Sequence, residues 1–173
     1  MNLRRSLNGA LAGGAGAAVW AAGQPLDKQV FGCPHDDVEL LGKLVTRGPE
    51  WPVAGLLIHL GNGAAFGAVY AQLKAFLPGH PLARALTAGM LENFALWPLT
   101  RVIDRHHPAR GDLTRLWGNN RALLQATWRH AVFSLVMGEV ERRLNDDRDV
   151  EPPPEVPVSS NGHGAIEVVV AAA

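Results

Sequence analysis

The sequence predicts an all-α protein: a four-helix transmembrane bundle over residues 1–144, with a disordered tail over residues 145–173. Three observations predict it. Residues 53–73 are 21 consecutive positions without a formal charge; as an α-helix they would be roughly 31 Å long, about the thickness of a bilayer's hydrocarbon core. Three more apolar runs, near 7–23, 82–100 and 120–141, join this one near 52–73, and polar stretches rich in Pro or His separate them. Beyond Leu144 the chain turns to Asp and Pro, then Gly, Ser and Asn, a composition that buries too little apolar surface to order itself.

Bulk composition narrows the class. A chain of 173 residues suits one domain. Mean hydropathy is only +0.03 with 47% apolar residues, so the apolar residues must be concentrated in segments. Lys+Arg and Asp+Glu balance at 16 each, which gives no electrostatic footprint for nucleic acid. A single cysteine, Cys33, excludes an internal disulfide and a cysteine-based zinc cage. Lys28, Lys43 and Lys74 are the only lysines, and Ala, Gly and Arg dominate. That bias fits a GC-rich bacterial genome, and with the apolar runs it predicts a multi-pass protein of the bacterial cytoplasmic (inner) membrane.

The first run follows Arg4 and Arg5 and ends in small residues near Ala22. This is also the outline of a secretory signal peptide. Gly9 and Gly13, continued by Gly16 and Trp20, form a small-residue helical face suited to close packing in lipid, and we read a retained membrane helix. Residues 24–50 are polar, with Pro25, Pro34 and Pro49. Within them residues 36–46 read as a short amphipathic helix with Asp36 as N-cap. In the second run His59, Asn62, Gly63, Phe66, Gly67 and Tyr70 share one face, where the glycines admit a neighbour and the polar groups can bond to it. A Leu77-Pro-Gly-His-Pro81 turn leads to the third run, with Glu92 near its middle and Pro98 near its end. Residues 101–119 read as a second polar loop. In the fourth run the Leu, Val and Phe residues gain about 0.3–0.6 kcal/mol each on insertion and Arg129 costs about 2.5–3.5, so this helix needs partners already in the membrane.

An internal echo suggests two tandem helical hairpins. A shift of 73 residues lays Gln24-Pro25-Leu26 on Trp97-Pro98-Leu99 and Gly16 on Gly89, and a shift of 71 lays His59 on His130 and Gly67 on Gly138. Parallel repeats of this kind place His59 and His130 in equivalent positions and both Pro-Leu segments on one side of the membrane. Basic residues number seven on one side and eight on the other, so the positive-inside rule gives no orientation. Arg4 and Arg5 before the first span favour both ends inside.

The candidate site is an intramembrane polar cluster of His59, Asn62, Glu92, Arg129 and His130. Ionisable groups at membrane depth face the bundle interior and pair. Glu92 and Arg129, each near the middle of its run, are expected to pair with each other. Gly9, Gly13, Gly63 and Gly67 are the expected helix-packing positions. His35, Asp36, Asp37, His106 and His107, with Asp104, are metal-compatible ligand types, but their spacing matches no metal motif, and a solvated loop is the favoured reading. No catalytic residue is identified. There is no Gly-x-Ser-x-Gly, and the glycines from Gly9 to Gly16 have neither a preceding strand nor the Lys-Ser/Thr of a phosphate loop.

A Gly-rich first span, a Gly-x-x-x-Gly second span, a Pro-bearing third span and a last helix with His130, Glu139, Arg142 and Arg143 resemble small bacterial inner-membrane proteins of the YagU-like type. The resemblance implies a multi-span inner-membrane protein and carries over no functional residue. The primary expectation is therefore a structural or accessory membrane protein without catalysis or cofactor, whose partners are the bilayer and, through its glycine faces, another copy or another membrane protein. A second reading is a small transporter or proton- or ion-conducting protein using His59, Glu92 and His130. A third is a soluble four-helix domain with a buried polar cluster, against which the uncharged 53–73 run counts.

Overall fold

A computed structural model describes residues 2–145, and every described element of regular structure is helical. The tail expected beyond residue 145 lies outside the described residues. Six α-helices follow in order: α1 Leu3–Phe31, α2 Asp37–Val45, α3 Trp51–Leu73, α4 Pro81–Leu96, α5 Thr100–His106 and α6 Asn120–Asn145. Short 3-10 turns, Lys74–Phe76 and Trp97–Leu99, extend α3 and join α4 to α5.

The four long helices alternate in direction. α1 packs antiparallel to α3 on one side and to α6 on the other, and α4 packs antiparallel to α6. The order across the layer is thus α3, α1, α6, α4. α3 and α4 form no comparable packed face, and a cleft opens between them. One end of the bundle gathers the start of α1 and the end of α6, where the Asn8 amide donates to the Leu144 carbonyl at 2.9 Å. α2, α5 and the loop before α6 cap the other end.

Small residues explain the close helix contacts. A methyl group built on Gly13 would overlap the Gly63 carbonyl oxygen, and one on Gly67 would overlap the Gly9 carbonyl. Gly9, Gly13, Gly63 and Gly67, the expected helix-packing positions, face one another in an α1–α3 seam. Gly16 seats the Phe133 ring of α6, Gly89 seats the Ser134 side chain, and Gly138 faces Ala85. Gly42 and Gly55 form a second seam, between α2 and α3, that the sequence reading missed.

Three boundaries differ from expectation. α1 does not stop near residue 23 but runs through Pro25 to Phe31. The proline ring is on the exposed side, so it costs the Ala21 carbonyl its partner without a clash against a neighbour. The helix stops instead at Gly32, whose φ of 56° is the left-handed conformation that glycine adopts without strain. There the Gly32 and Cys33 amides return to the Gln29 and Lys28 carbonyls in a Schellman closure. The third run breaks at Pro98 into α4, a 3-10 turn and α5, so the polar loop expected from residue 101 begins as helix. α2 forms where expected, with Asp36 Oδ1 accepting the Glu39 amide at 2.9 Å.

Among the described residues one helical segment, Trp51–Phe76, is long and apolar enough to cross a membrane by hydropathy. The four-span expectation is not met on that criterion. α4 has 16 residues, and α6 carries Arg121, Arg129, Glu139, Glu141, Arg142 and Arg143.

The α1–α3 seam gives a direct test. Gly13→Ala forces backbone apart and should lower stability by about 3 kcal/mol, the upper end of ordinary overpacking. Gly14→Ala, where an added methyl meets nothing within 4 Å, should be neutral or stabilising by up to about 1 kcal/mol through helix propensity. Thermal unfolding of both variants in one detergent checks the contrast, and equal effects would contradict the seam.

Candidate functional site

Arg129 of α6 is only 1% exposed and makes four side-chain hydrogen bonds. Its Nε and Nη2 donate to the two carboxylate oxygens of Asp27 at 2.7 and 2.6 Å, a bidentate fork. Nη2 also donates to the His35 carbonyl at 3.0 Å, and Nη1 donates to Asp37 Oδ2. One turn earlier, Gln125 donates to Asp27 Oδ1 at 2.7 Å and to the Cys33 carbonyl at 3.1 Å. The Gln24 side-chain oxygen accepts the Asp37 amide at 3.0 Å, and Trp20 Nε1 donates to Asp37 Oδ2 at 3.0 Å. The last turns of α1, the turn 32–36 and the start of α2 are all tied to α6 by this network.

The expected pairing of Arg129 with Glu92 does not occur. Residues at similar depth need not share a helix face, and adjacent positions 129 and 130 point about 100° apart. Arg129 faces α1 and α2, whereas His130 faces α4, where its Nε2 lies 3.0 Å from Glu92 Oε2. The partner is Asp27, which lies in the polar stretch 24–50 of the sequence and in the last turns of α1 in the structure.

The polar residues on the cleft side meet around Trp20. Its indole packs edge-on against His59 with centroids 5.2 Å apart, against His130 at 4.6 Å and against Phe133 at 6.2 Å. The two histidines expected to be equivalent therefore lie on one aromatic ring. His59 is buried, its Nε2 3.1 Å from the Ala17 carbonyl. Since a carbonyl only accepts, Nε2 donates. The four-helix layer is nevertheless not a symmetric ring, because the α1–α6 contact has no equivalent between α3 and α4.

The cleft between α3 and α4 has a volume of about 330 Å³. Its base is Ala17 and Trp20 of α1 with Ala126, His130 and Phe133 of α6. His59, Asn62 and Phe66 of α3 line one wall and Glu92, Asn93 and Leu96 of α4 the other, while α2 and α5 add residues at the capped end. All five members of the expected polar cluster are thus placed. His59, Asn62, Glu92 and His130 line the cleft, and Arg129 sits behind it in the Asp27–Asp37 network.

His130 has an unusual bonding state. Its Nδ1 is 2.7 Å from the Ala126 carbonyl, an obligate acceptor, so Nδ1 donates. Its Nε2 faces the Glu92 carboxyl at 3.0 Å. A hydrogen bond between them needs one proton, carried by either the imidazole or the carboxyl.

The loop residues considered as metal ligands are committed elsewhere. Asp36 caps α2 and pairs with Lys28, and Asp37 binds Arg129, Trp20 and His35. Asp104 accepts the Leu116 and Trp117 amides, fixing the loop before α6. His107 is buried with Nε2 3.0 Å from the Leu40 carbonyl and Nδ1 accepting the Ala109 amide, so both ring nitrogens are used. His106 is exposed. Among the described residues no three metal-ligating side chains gather.

A second buried pair, Lys74 Nζ to Glu141 Oε2 at 2.8 Å, ties α3 to α6 near the uncapped end. Asn145 Nδ2 donates to the other Glu141 oxygen at 2.6 Å. The sequence reading missed this pair, because Lys74 looked like a residue just past a span.

Comparison of the chain with protein-family models, with curated proteins and with solved structures finds no match.

Two outcomes follow from the network. Arg129→Leu leaves Asp27 and Asp37 without their cation and should cost about 3–5 kcal/mol, with Asp27→Asn next and Glu92→Gln much smaller; denaturant unfolding in detergent ranks the three. Acid unfolding probes Asp37. Burial pushes its carboxyl up, but His35 and Arg129 beside it more than reverse this and hold it well below the usual carboxylate range. A depressed folded pKa gives stability that is fully present above the ordinary carboxylate pKa of about 4 and is lost as pH falls below it. Asp37→Asn should therefore flatten the loss of stability below about pH 4; an unchanged acid profile would contradict the assignment.

Proposed function

We propose that the chain is a multi-pass protein of a bacterial inner membrane. Its four long helices would lie in the bilayer, and its role there would be structural or accessory, without catalysis of its own. One observation carries this reading, the inversion of burial. The largest fully buried side chains are Arg129, Lys74, Met137, Gln125, Glu141 and Ser134, of which five are polar or charged. Large apolar side chains lie outside: Leu11 is 65% exposed, Leu57 66%, Leu91 61% and Leu124 59%, one on each long helix. In water such a surface would be left unburied; against lipid tails it is satisfied, and the polar groups pair inside. The glycine seams suit association in lipid, where close packing replaces the hydrophobic effect. The likeness to YagU-like proteins points the same way.

A second reading rests on one further observation, the contact of His130 Nε2 with Glu92 Oε2 at 3.0 Å on the cleft wall. A protonatable pair on the wall of an open cleft is suited to exchanging protons with whatever fills it.

Fractionation of cells expressing the full chain tests the first reading. The protein should remain with membranes through alkaline carbonate and enter solution only with detergent; recovery in the soluble fraction would overturn it. Proteoliposomes carrying a pH-sensitive dye test the second. Proton flux above empty vesicles that Glu92→Gln abolishes supports it, and no flux from the wild-type protein rejects it.

A further inference from the structure

We infer that the cleft between α3 and α4 is a binding site for a lipophilic organic cation, an ammonium group on an aromatic or alkyl body. The inference stands on the cleft itself and goes beyond the location proposed above.

Three features converge on that chemistry. At about 330 Å³ the cleft is within the usual range for small-molecule sites. Beside His35, His59 and His130, its ionisable lining is the carboxylates of Asp37 and Glu92, and among the described residues no lysine or arginine lines it. Asp37 is already met by Arg129 and His35, so the carboxylate left to a ligand is that of Glu92. A cation is favoured beside it over an anion. Last, Trp20, Phe66, Trp97 and Phe133 supply aromatic surface. Ring faces attract a desolvated ammonium by about 2 kcal/mol, close to thirtyfold in affinity, and hold its apolar body by area.

The two carboxylates differ in availability. Asp37 is committed to Arg129, Trp20 and His35, whereas Glu92 has one partner, His130, and a side chain 34% exposed. Glu92 is therefore the group that meets the ligand's charge, and Phe66, on the facing helix, meets its body.

Isothermal titration of the purified full chain in detergent tests the site with three probes. Benzyltrimethylammonium has both charge and ring, tetramethylammonium the charge alone, and benzyl alcohol the ring alone. The first should bind at least about tenfold more tightly than either of the others. Glu92→Gln should remove most of its advantage over benzyl alcohol, and Phe66→Leu most of its advantage over tetramethylammonium. Circular dichroism of each variant establishes that it is folded, and Phe66→Leu leaves the Glu92–His130 pair intact should Glu92→Gln fail to fold. Equal binding of benzyl alcohol would reduce the cleft to an apolar hole, and absence of binding to the folded wild-type protein would overturn the inference. Neither result bears on membrane location, which fractionation decides separately.

Discussion

Everything at the capped end of this bundle depends on the fork of Arg129 against Asp27. A guanidinium that is 1% exposed is stable only with its donors satisfied, and four of its bonds reach three separate segments: α1, the turn at His35 and α2. Removing a buried charge from water costs several kcal/mol, which its partners repay only in good geometry. The helix ends are therefore not free to drift. α1 must continue past Pro25 for Asp27 to reach α6, and the Gly32 closure must turn the chain for Asp37 to approach from the other side.

The glycine seams and the polar network divide the work. Near the uncapped end and the middle, Gly9, Gly13, Gly63 and Gly67 bring α1 and α3 to backbone contact, and Gly16 and Gly89 receive side chains of α6. Nothing large fits there, so the core contains few big apolar residues; Phe133, Met137 and Tyr70 are the main ones. Many other large apolar side chains, Leu11, Leu57, Leu91 and Leu124 among them, are turned outward. A small-residue interior, charged pairs at its two ends and an apolar exterior are thus consequences of one packing scheme. The same scheme leaves α3 and α4 apart, and the gap between them is the cleft.

Much of this was legible in the sequence, and the failures have physical causes. The glycine faces of the first two runs and the Asp36 cap were readable from residue type and helical spacing, whereas the pairing of α1 with α3 and the placing of His59, Asn62, Glu92 and His130 on one cleft, apart from Arg129, come from the structure. The partner of Arg129 was not legible either, because depth along a helix is readable from sequence whereas azimuth relative to a third helix is not. Asp27 was hidden by Pro25: an interior proline removes one hydrogen bond and crowds the carbonyl four residues back, yet here the helix continues through it with the ring exposed. Trp20 was visible only as one more residue on a helical face. Its role between His59 and His130 depends on where α1 lies relative to α3 and α6. Among the described residues hydropathy likewise identifies only Trp51–Phe76 as a candidate span, since Gly and Ala score weakly and the charges of α6 count against it even where they are paired inside.

The central claim is that the exterior of the four long helices meets lipid and their interior holds the charges. Spin labels introduced singly at Leu11, Leu57, Leu91 and Leu124 of the reconstituted protein test it most directly, because each position is exposed on a different helix. The account predicts ready collision with oxygen and little with a water-soluble nickel chelate at all four. Chelate accessibility equal to that of a label at the exposed His106 would contradict it and place the bundle in water.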